Sequence, residues 1–493
     1  MYQLEEYRMF LYSSVIGFSD LWTILSFTWT VLVVITVVVV IAERREPVNT
    51  LAWIMVITMF PVGGVILFLI LGQNHRRQRT FMQKELYDSE AITRLCNEQL
   101  HHIAHPDRAT MPNRNFVRLM LNNSRALLTE HNRVRILNNG EQTFPDMFEE
   151  MSKAERYIHI EFFAIEGGVL FDRLVEILDD RIAHGVEVRI IYDSVGSRRL
   201  RRRDLLRLRA IGAEVRSFMP VWIARFTDKV NYRNHRKIVV VDGKVGYTGG
   251  VNIADRYIDG VRGGIWRDTH LRIEGEAVAI LQSVFVTDWH FVTDGCMLSD
   301  EVYFHTQEVG DVLPIQIATS GPDSPYASIM QAYFAAIGKA EKYIYVSTPY
   351  LLPNQAIVTA LRVAALSGVD VRVLIPVRGD NIFVAWAGYS YVDSLMEAGV
   401  KVYLYNNGFN HSKFLLIDDC ISSIGSANLD NRSFEDDFEV QAIIYDGAIT
   451  EELKGYFMKD LARSTEITPE MWRSRPRLSK IMEPIARLLA PLF

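Results

Sequence analysis

Two stretches near the N-terminus, Leu21 to Ala42 and Thr50 to Leu71, are apolar and free of charged side chains. Each is long enough to cross a hydrocarbon layer of about 30 Å as a helix. The short polar link from Glu43 to Asn49 separates them, so residues 1–75 are predicted to form a two-helix transmembrane hairpin with spans at about 21–42 and 50–71. Pro61, Gly63 and Gly64 interrupt the second stretch and offer the alternative of re-entry, which would leave the rest of the chain on the opposite face from the N-terminus. The length criterion favours full spanning. Glu5, Glu6 and Asp20 are wrong for the basic start of a cleaved signal, so the segment is expected to stay attached. Arg76, Arg77, Arg79 and Lys84 after the second stretch outweigh Arg44 and Arg45 in the link, which points to a cytoplasmic body.

Beyond a polar connector at 76–124 the pattern becomes a duplicated alternation of helix and strand. Lys153-Ala154-Glu155-Arg156-Tyr157-Ile158-His159-Ile160 is matched by Lys339-Ala340-Glu341-Lys342-Tyr343-Ile344-Tyr345-Val346. His184-Gly185-Val186-Glu187-Val188-Arg189 is matched by Ser367-Gly368-Val369-Asp370-Val371-Arg372, each glycine being a helix stop before a strand. A third pairing sets Ile211-Gly212-Ala213-Glu214-Val215 beside Ala398-Gly399-Val400-Lys401-Val402. The predicted fold class is α/β, with two similar half-domains at 125–300 and 301–465 built on parallel sheets and packed face to face.

Each half ends in one constellation. His235-Arg236-Lys237, four apolar residues, Asp242, six residues and Gly249-Gly250-Val251-Asn252 repeat as His411-Ser412-Lys413, four apolar residues, Asp418, six residues and Gly425-Ser426-Ala427-Asn428. Alternate side chains of a strand share a face, so His235 and Lys237 point one way, as do His411 and Lys413. A lone H-x-K is noise; two copies with identical spacing in matched repeats are a signal. Neutral imidazole is a good nucleophile, and a second imidazole can protonate a leaving oxygen. Lysine and asparagine donors suit the oxygens of a phosphodiester as charge builds on them. Asp242 and Asp418 follow a strand and are read as fixing a local turn, and Gly250 against Ser426 shows that this hydroxyl is not required by both halves.

These motifs resemble the phospholipase D superfamily, whose H-x-K-x4-D motif occurs twice and builds one site at the junction of two halves. The wider layout resembles bacterial cardiolipin synthases: the apolar N-terminus with Pro61-Val62-Gly63-Gly64, Trp266-Arg267-Asp268, Thr348-Pro349-Tyr350 and Asn428-Leu429-Asp430-Asn431-Arg432-Ser433-Phe434. The resemblance implies a phosphatidyltransferase of the bacterial plasma membrane that joins two phosphatidylglycerol molecules into cardiolipin and releases glycerol. It implies His235 as nucleophile and His411 as general acid and base, with the reverse order left open. It implies Lys237, Lys413, Asn252 and Asn428 as phosphate donors, Glu439 as the acid orienting the histidine of the second copy, and Asp268 as that of the first. No cofactor or metal is implied. The rival enzyme reading is a membrane-tethered phospholipase D or other phosphodiesterase with water as acceptor, and a dead scaffold is disfavoured because neither motif has lost a residue.

Composition refines this only locally. A formal net charge of −6 argues against a nucleic-acid partner held by bulk positive charge, whereas anionic membrane lipids remain compatible with local basic patches. Cys96, Cys296 and Cys420 are widely spaced, fit a reduced compartment and give no metal-binding pattern. The arginines between Arg198 and Arg209 suit either anionic headgroups or a solvated helix face. Pro220, Val221, Trp222, Ile223 and Phe226 suit either an acyl-chain entrance or core packing. The tail, 466–493, mixes Arg473, Arg475, Arg477, Lys480 and Arg487 with Leu478, Ile481, Ile485, Leu488 and Leu489, the pattern of an interfacial helix, although Pro484 and Pro491 disturb it.

Overall fold

A computed structural model describes residues 18–42, 47–71, 90–105, 113–220 and 232–488, apart from 262, 294, 296, 297, 299, 300 and 380. The basic residues flanking the apolar stretches, the segment from Val221 to Phe226, Cys296, Leu489 and Pro491 lie outside the described residues. The chain divides into a small N-terminal unit and a large unit.

In the N-terminal unit Phe18–Ala42 is one continuous helix, whereas the second apolar stretch is broken into Pro47–Met59 and Pro61–Leu71. Among the described residues only one helix, Trp22–Ala42, is long and apolar enough to cross a membrane. The expected second spanning helix is therefore not confirmed, and the stretch is two shorter helices. Trp53 and Phe68 stack edge to face with ring centroids 5.4 Å apart, although fifteen residues of straight helix would separate them by about 22 Å. The stretch turns back on itself at Pro61, which cannot continue the hydrogen-bond ladder. Gly64 makes the turn possible, since a Cβ there would lie 2.5 Å from the Val56 carbonyl oxygen. Neither limb, at roughly 16 to 20 Å by helical rise, spans a 30 Å layer. The two limbs and the first helix share a small core of Val40, Ile57, Val65 and Phe68.

The large unit contains two sheets of matching topology. The first runs 132–138, 269–275, 245–249, 237–241, 157–162, 187–193, 214–218 across its width. The second runs 315–320, 439–444, 421–425, 414–417, 343–347, 370–376, 401–405, with short strands Leu128–Thr129 and Ser464–Glu466 added at its edges. The duplication read from sequence is thus carried into strand order. The sheets are mixed, however, and not purely parallel. Tyr157–Phe162 pairs parallel with Glu187–Asp193 but antiparallel with Lys237–Val241, and Tyr343–Ser347 does the same with Asp370–Pro376 and Phe414–Ile417. The strand carrying each H-x-K motif runs antiparallel to the central strand and forms a hairpin with the strand that follows it, Val245–Gly249 or Ile421–Gly425, which the glycine helix-stop signals alone could not reveal.

Alternation along the strands divides the core into layers. Ile136, Ile238, Val240 and Leu271 of the first sheet meet Ile317, Leu416, Val440 and Ile444 of the second, with Phe285 and Phe457 from helices Ala277–Val292 and Gly447–Leu461 completing the shared layer. Ile158, Ile160 and Val239 face outward to helices on one side, and Ile344, Val346 and Leu415 do so on the other. A common interior of this kind fixes the two motif strands against each other.

Candidate active site

The two motif strands end where the halves meet, and backbone hydrogen bonds cross between halves at that point. The His235 amide donates to the Phe438 carbonyl at 2.9 Å, and the His411 amide donates to the Arg267 carbonyl at 2.7 Å. Gly408–Asn410 pairs parallel with Ile265–Arg267, and Asn234 bridges Phe438. Each segment entering a motif is therefore laid beside the segment that precedes the other half's carboxylate.

The side chains follow the same exchange. His235 Nδ1 donates to Glu439 Oε1 at 2.9 Å, and His411 Nδ1 donates to Asp268 Oδ2 at 2.7 Å. The orienting acids are thus crossed: Glu439 serves the first copy's histidine and Asp268 the second's, the reverse of the assignment made from sequence position. Sequence position places Glu439 in the second copy, but the parallel bridge at Phe438 carries it across the interface. A carboxylate only accepts, so each Nδ1 bears the proton and each Nε2 keeps its lone pair for chemistry. Asp268 and Glu439 are fully buried.

Ser426 donates its hydroxyl to Glu439 and accepts from the Val440 amide at 3.0 Å, which pins the acid on its second oxygen. In the other half a Cβ on Gly250 would sit 2.0 Å from Asp268 Oδ1. The shorter acid lies closer to the backbone and leaves no room for a side chain, which explains glycine against serine at this position. Lys237 and Lys413 each donate to the carbonyl of their own motif histidine, and the Lys237 ammonium lies 5.4 Å from the Phe163 ring. Asn252 accepts from the Ala164 amide at 3.1 Å and donates to the Tyr257 hydroxyl at 2.9 Å. Asn428 is buried, and its amide nitrogen of the backbone donates to the Ser433 hydroxyl at 3.2 Å.

Asp242 and Asp418 are turned away from this cluster. Asp242 accepts from the amides of Glu155, Arg156 and Tyr157 at 2.8 to 2.9 Å, and Asp418 accepts from those of Lys342 and Tyr343 at 2.8 and 2.7 Å and from that of Glu341. Both have left-handed backbones, φ 55° and 50°, a conformation aspartate tolerates better than most residues. They tie the motif strand's end to the start of the central strand. Asp242→Ala is expected to leave three buried or half-buried donors without an acceptor and to destabilise the fold by about 3 kcal/mol, read as a lower Tm in thermal unfolding, while the activity of the folded fraction persists.

Burial dominates the electrostatics. It pushes His235 down to about 4 against the opposing pull of Glu439, and it pushes His411 well below the usual imidazole range, helped by Lys413, Lys237 and His235. Lys237 is lowered to about 7 by burial and by the neighbouring Lys413. Burial raises Asp268 to about 6, whereas Glu439 is held below the ordinary carboxylate value because His235 and Lys237 outweigh the effect of its burial. The free enzyme therefore has two neutral imidazoles, one firmly ionised acid and one acid poised near neutrality.

Several residues at the site escaped the sequence reading. Tyr257 places its hydroxyl 3.4 Å from His411 Nδ1, and Trp266 and Phe409 flank the same ring at 5.6 and 6.0 Å between centroids. Behind His235, Asn234 donates to the buried Glu161, and Arg236 pairs with the buried Asp288. The available signal was Glu161 itself, an acid in the wholly buried strand Tyr157–Phe162, where an unpaired charge would be expensive. Within the 198–209 stretch Arg199 pairs with Glu166 at 3.2 Å, Arg203 with Asp204 at 3.5 Å and Arg207 with Asp172 at 2.6 Å, so part of its charge is met locally.

The described family of cardiolipin synthase PLD-like domains matches residues 147–289 and 333–461, and the phospholipase D-nuclease N-terminal family matches 31–73. Cardiolipin synthase 2 of Staphylococcus epidermidis is 40% identical over 464 residues, covering 92% of this chain and 95% of that one. The chain belongs to the cardiolipin synthase family of the phospholipase D superfamily. The major cardiolipin synthase of Bacillus subtilis is 38% identical over 478 residues, covering 95% of this chain and 99% of its own. Among solved structures, phosphatidylserine synthase of Haemophilus influenzae shares the fold, with a TM-score of 0.56 at 14% identity over 77% of this chain and 97% of that one. The family supplies membrane phospholipid as the substrate class, and the apolar helix Trp22–Ala42 accords with membrane association.

Proposed function

We propose that this enzyme transfers a phosphatidyl group from one phosphatidylglycerol to another, giving cardiolipin and glycerol through a phosphohistidine. The observation that carries the reading is the crossed pair of imidazole–carboxylate contacts, which leaves two Nε2 lone pairs and two lysines at one junction. His235 Nε2 attacks phosphorus, the bond from phosphorus to the glycerol headgroup oxygen breaks, and His411 gives that oxygen a proton. The headgroup hydroxyl of the second phosphatidylglycerol then loses its proton to His411 and attacks phosphorus, breaking the P–N bond.

Two features support His235 as the nucleophile. Glu439 is ionised and doubly held, so it can stabilise the positive phosphoimidazole ring, whereas Asp268, poised at about 6, suits a ring that takes and returns protons near neutrality. Arrival of the phosphodiester anion raises the proton affinity of His411, whose Nε2 takes a proton from solvent before transfer; that proton goes to the leaving glycerol oxygen, and the one taken from the second phosphatidylglycerol restores it. Lys237 and Lys413 neutralise the non-bridging oxygens, with Asn252 and Asn428 as further donors to them. Asp242 and Asp418 act through the turn they hold. The units duplicated are proposed as 125–300 and 301–465.

Because Lys237 is depressed to about 7, its charged form is lost as pH rises through that value. kcat/KM for phosphatidylglycerol is therefore expected to fall on the alkaline side from about neutrality, and a flat alkaline limb in initial-rate measurements would remove Lys237 from this role. Product analysis tests the reaction: wild-type enzyme in phosphatidylglycerol vesicles with chelator should yield cardiolipin and glycerol by mass spectrometry. Phosphatidic acid without cardiolipin would instead mean water is the acceptor.

Re-entry also bears on topology. With one span and a re-entrant limb, Arg44 and Arg45 fall on the same side as Arg76, Arg77, Arg79 and Lys84, so all these charges support a cytoplasmic body in the bacterial plasma membrane. The N-terminus would then be external, and protease protection of an N-terminal tag in sealed inverted vesicles is the expected result.

A further inference from the structure

The C-terminal helix Arg477–Leu488 is held on the body by a polar lock. Glu483 and Ala486 are buried, Arg475 donates to Glu483 at 2.8 Å and to Asp393 at 3.0 Å, and the Arg487 guanidinium lies 4.3 Å over the Tyr391 ring. This docking fixes which way the remaining faces look. Leu478, Ile481, Ile485 and Leu488 fall on one stripe at spacings of three and four residues, and they are 66%, 60%, 46% and 80% exposed. Ile382 and Phe383, on the helix against which this one packs, are exposed as well. Pro484 leaves the helix continuous.

A stripe of four aliphatics facing away from the protein is costly in water. Its flank is cationic: Arg473, Arg477 and Lys480 are exposed, and Lys480 is steadied by the Arg473 carbonyl at 2.7 Å. On a helical wheel the buried residues, the aliphatic stripe and the cations occupy three separate arcs. A protein partner would leave the cations without a stated counterpart, whereas a bilayer containing anionic lipid satisfies both arcs, acyl chains taking the aliphatics and headgroup phosphates the cations.

We propose that this helix is a membrane-docking surface that lies in the headgroup layer of an anionic bilayer and holds the catalytic body against it. The proposal rests on the phospholipid reading of the active site, since a body that draws its substrate from a bilayer gains from being held there by a second contact.

The test uses the full chain in phosphatidylglycerol-containing nanodiscs, with a photoactivatable benzophenone amino acid placed at Ile481 or Ile485, and at the exposed Glu176, on helix Val169–Ala183 in the outer layer of the other half, as a control. Mass spectrometry should find lipid adducts at the first two positions and none at the third. Adducts to a second copy of the chain, or no lipid adducts at Ile481 and Ile485, would overturn the proposal. A variant with Leu478, Ile481, Ile485 and Leu488 all replaced by serine should lose at least about ten-fold in kcat/KM on vesicles. It should keep wild-type activity on dispersed short-chain phosphatidylglycerol. Equal loss on both substrates would contradict docking. Failure of wild type to make cardiolipin from either substrate would fall on the active-site reading and not on the helix.

Discussion

His235→Ala is expected to lower cardiolipin formation by at least about a thousand-fold, because the phosphorus then has no protein nucleophile and transfer must find a direct route. His411→Ala should cost a similar factor by a different path, since the leaving glycerol oxygen must depart unprotonated. The double variant should lose little beyond the worse single variant, since residues acting as one unit are strongly non-additive. Rates of cardiolipin appearance, read by mass spectrometry, check all three. The asymmetry lies in the first half-reaction. His235→Ala should release no glycerol, while His411→Ala should be partly rescued by phosphodiester donors whose leaving group needs no proton.

The crossed acids give the second large effect. Glu439→Gln removes the acceptor that fixes the His235 ring and the charge that stabilises the phosphoimidazole, so kcat should fall by about a hundred-fold. Asp268→Asn should do likewise through His411, whose Nδ1 it accepts from at 2.7 Å. The crossing makes a specific demand on double-mutant cycles. Glu439→Gln should couple strongly to His235→Ala and weakly to His411→Ala, although Glu439 is far closer to His411 in sequence. Coupling within each half would contradict the observed geometry.

The duplication and most of the polar site residues were legible because repeated spacing survives without any knowledge of packing, whereas the antiparallel placing of each motif strand was not. His235, Lys237, Asp268, Asn252, His411, Lys413, Ser426 and Glu439 gather at one junction, and Asp242 and Asp418 hold turns as their place after a strand indicated. What sequence could not supply was the partner across the interface. Glu439 reaches His235 only because Phe438 bridges Asn234 in space. The second apolar stretch was only partly legible for a related reason. Its length satisfies the spanning criterion, but Pro61 and Gly64 let Trp53 and Phe68 meet, and contact between limbs outweighs continuity. Tyr257 was invisible because it lies outside the repeated pattern, and the Glu161–Asn234 contact left only the acid in a buried strand as its trace.

Trapping the covalent intermediate tests the central claim most directly. Full-length enzyme mixed with phosphatidylglycerol carrying a labelled phosphate, quenched in alkali within one turnover and digested, should carry label on the peptide containing His235, in wild type and in His411→Ala. Label on the His411 peptide, or cardiolipin formed with no labelled protein at any time, would contradict the account.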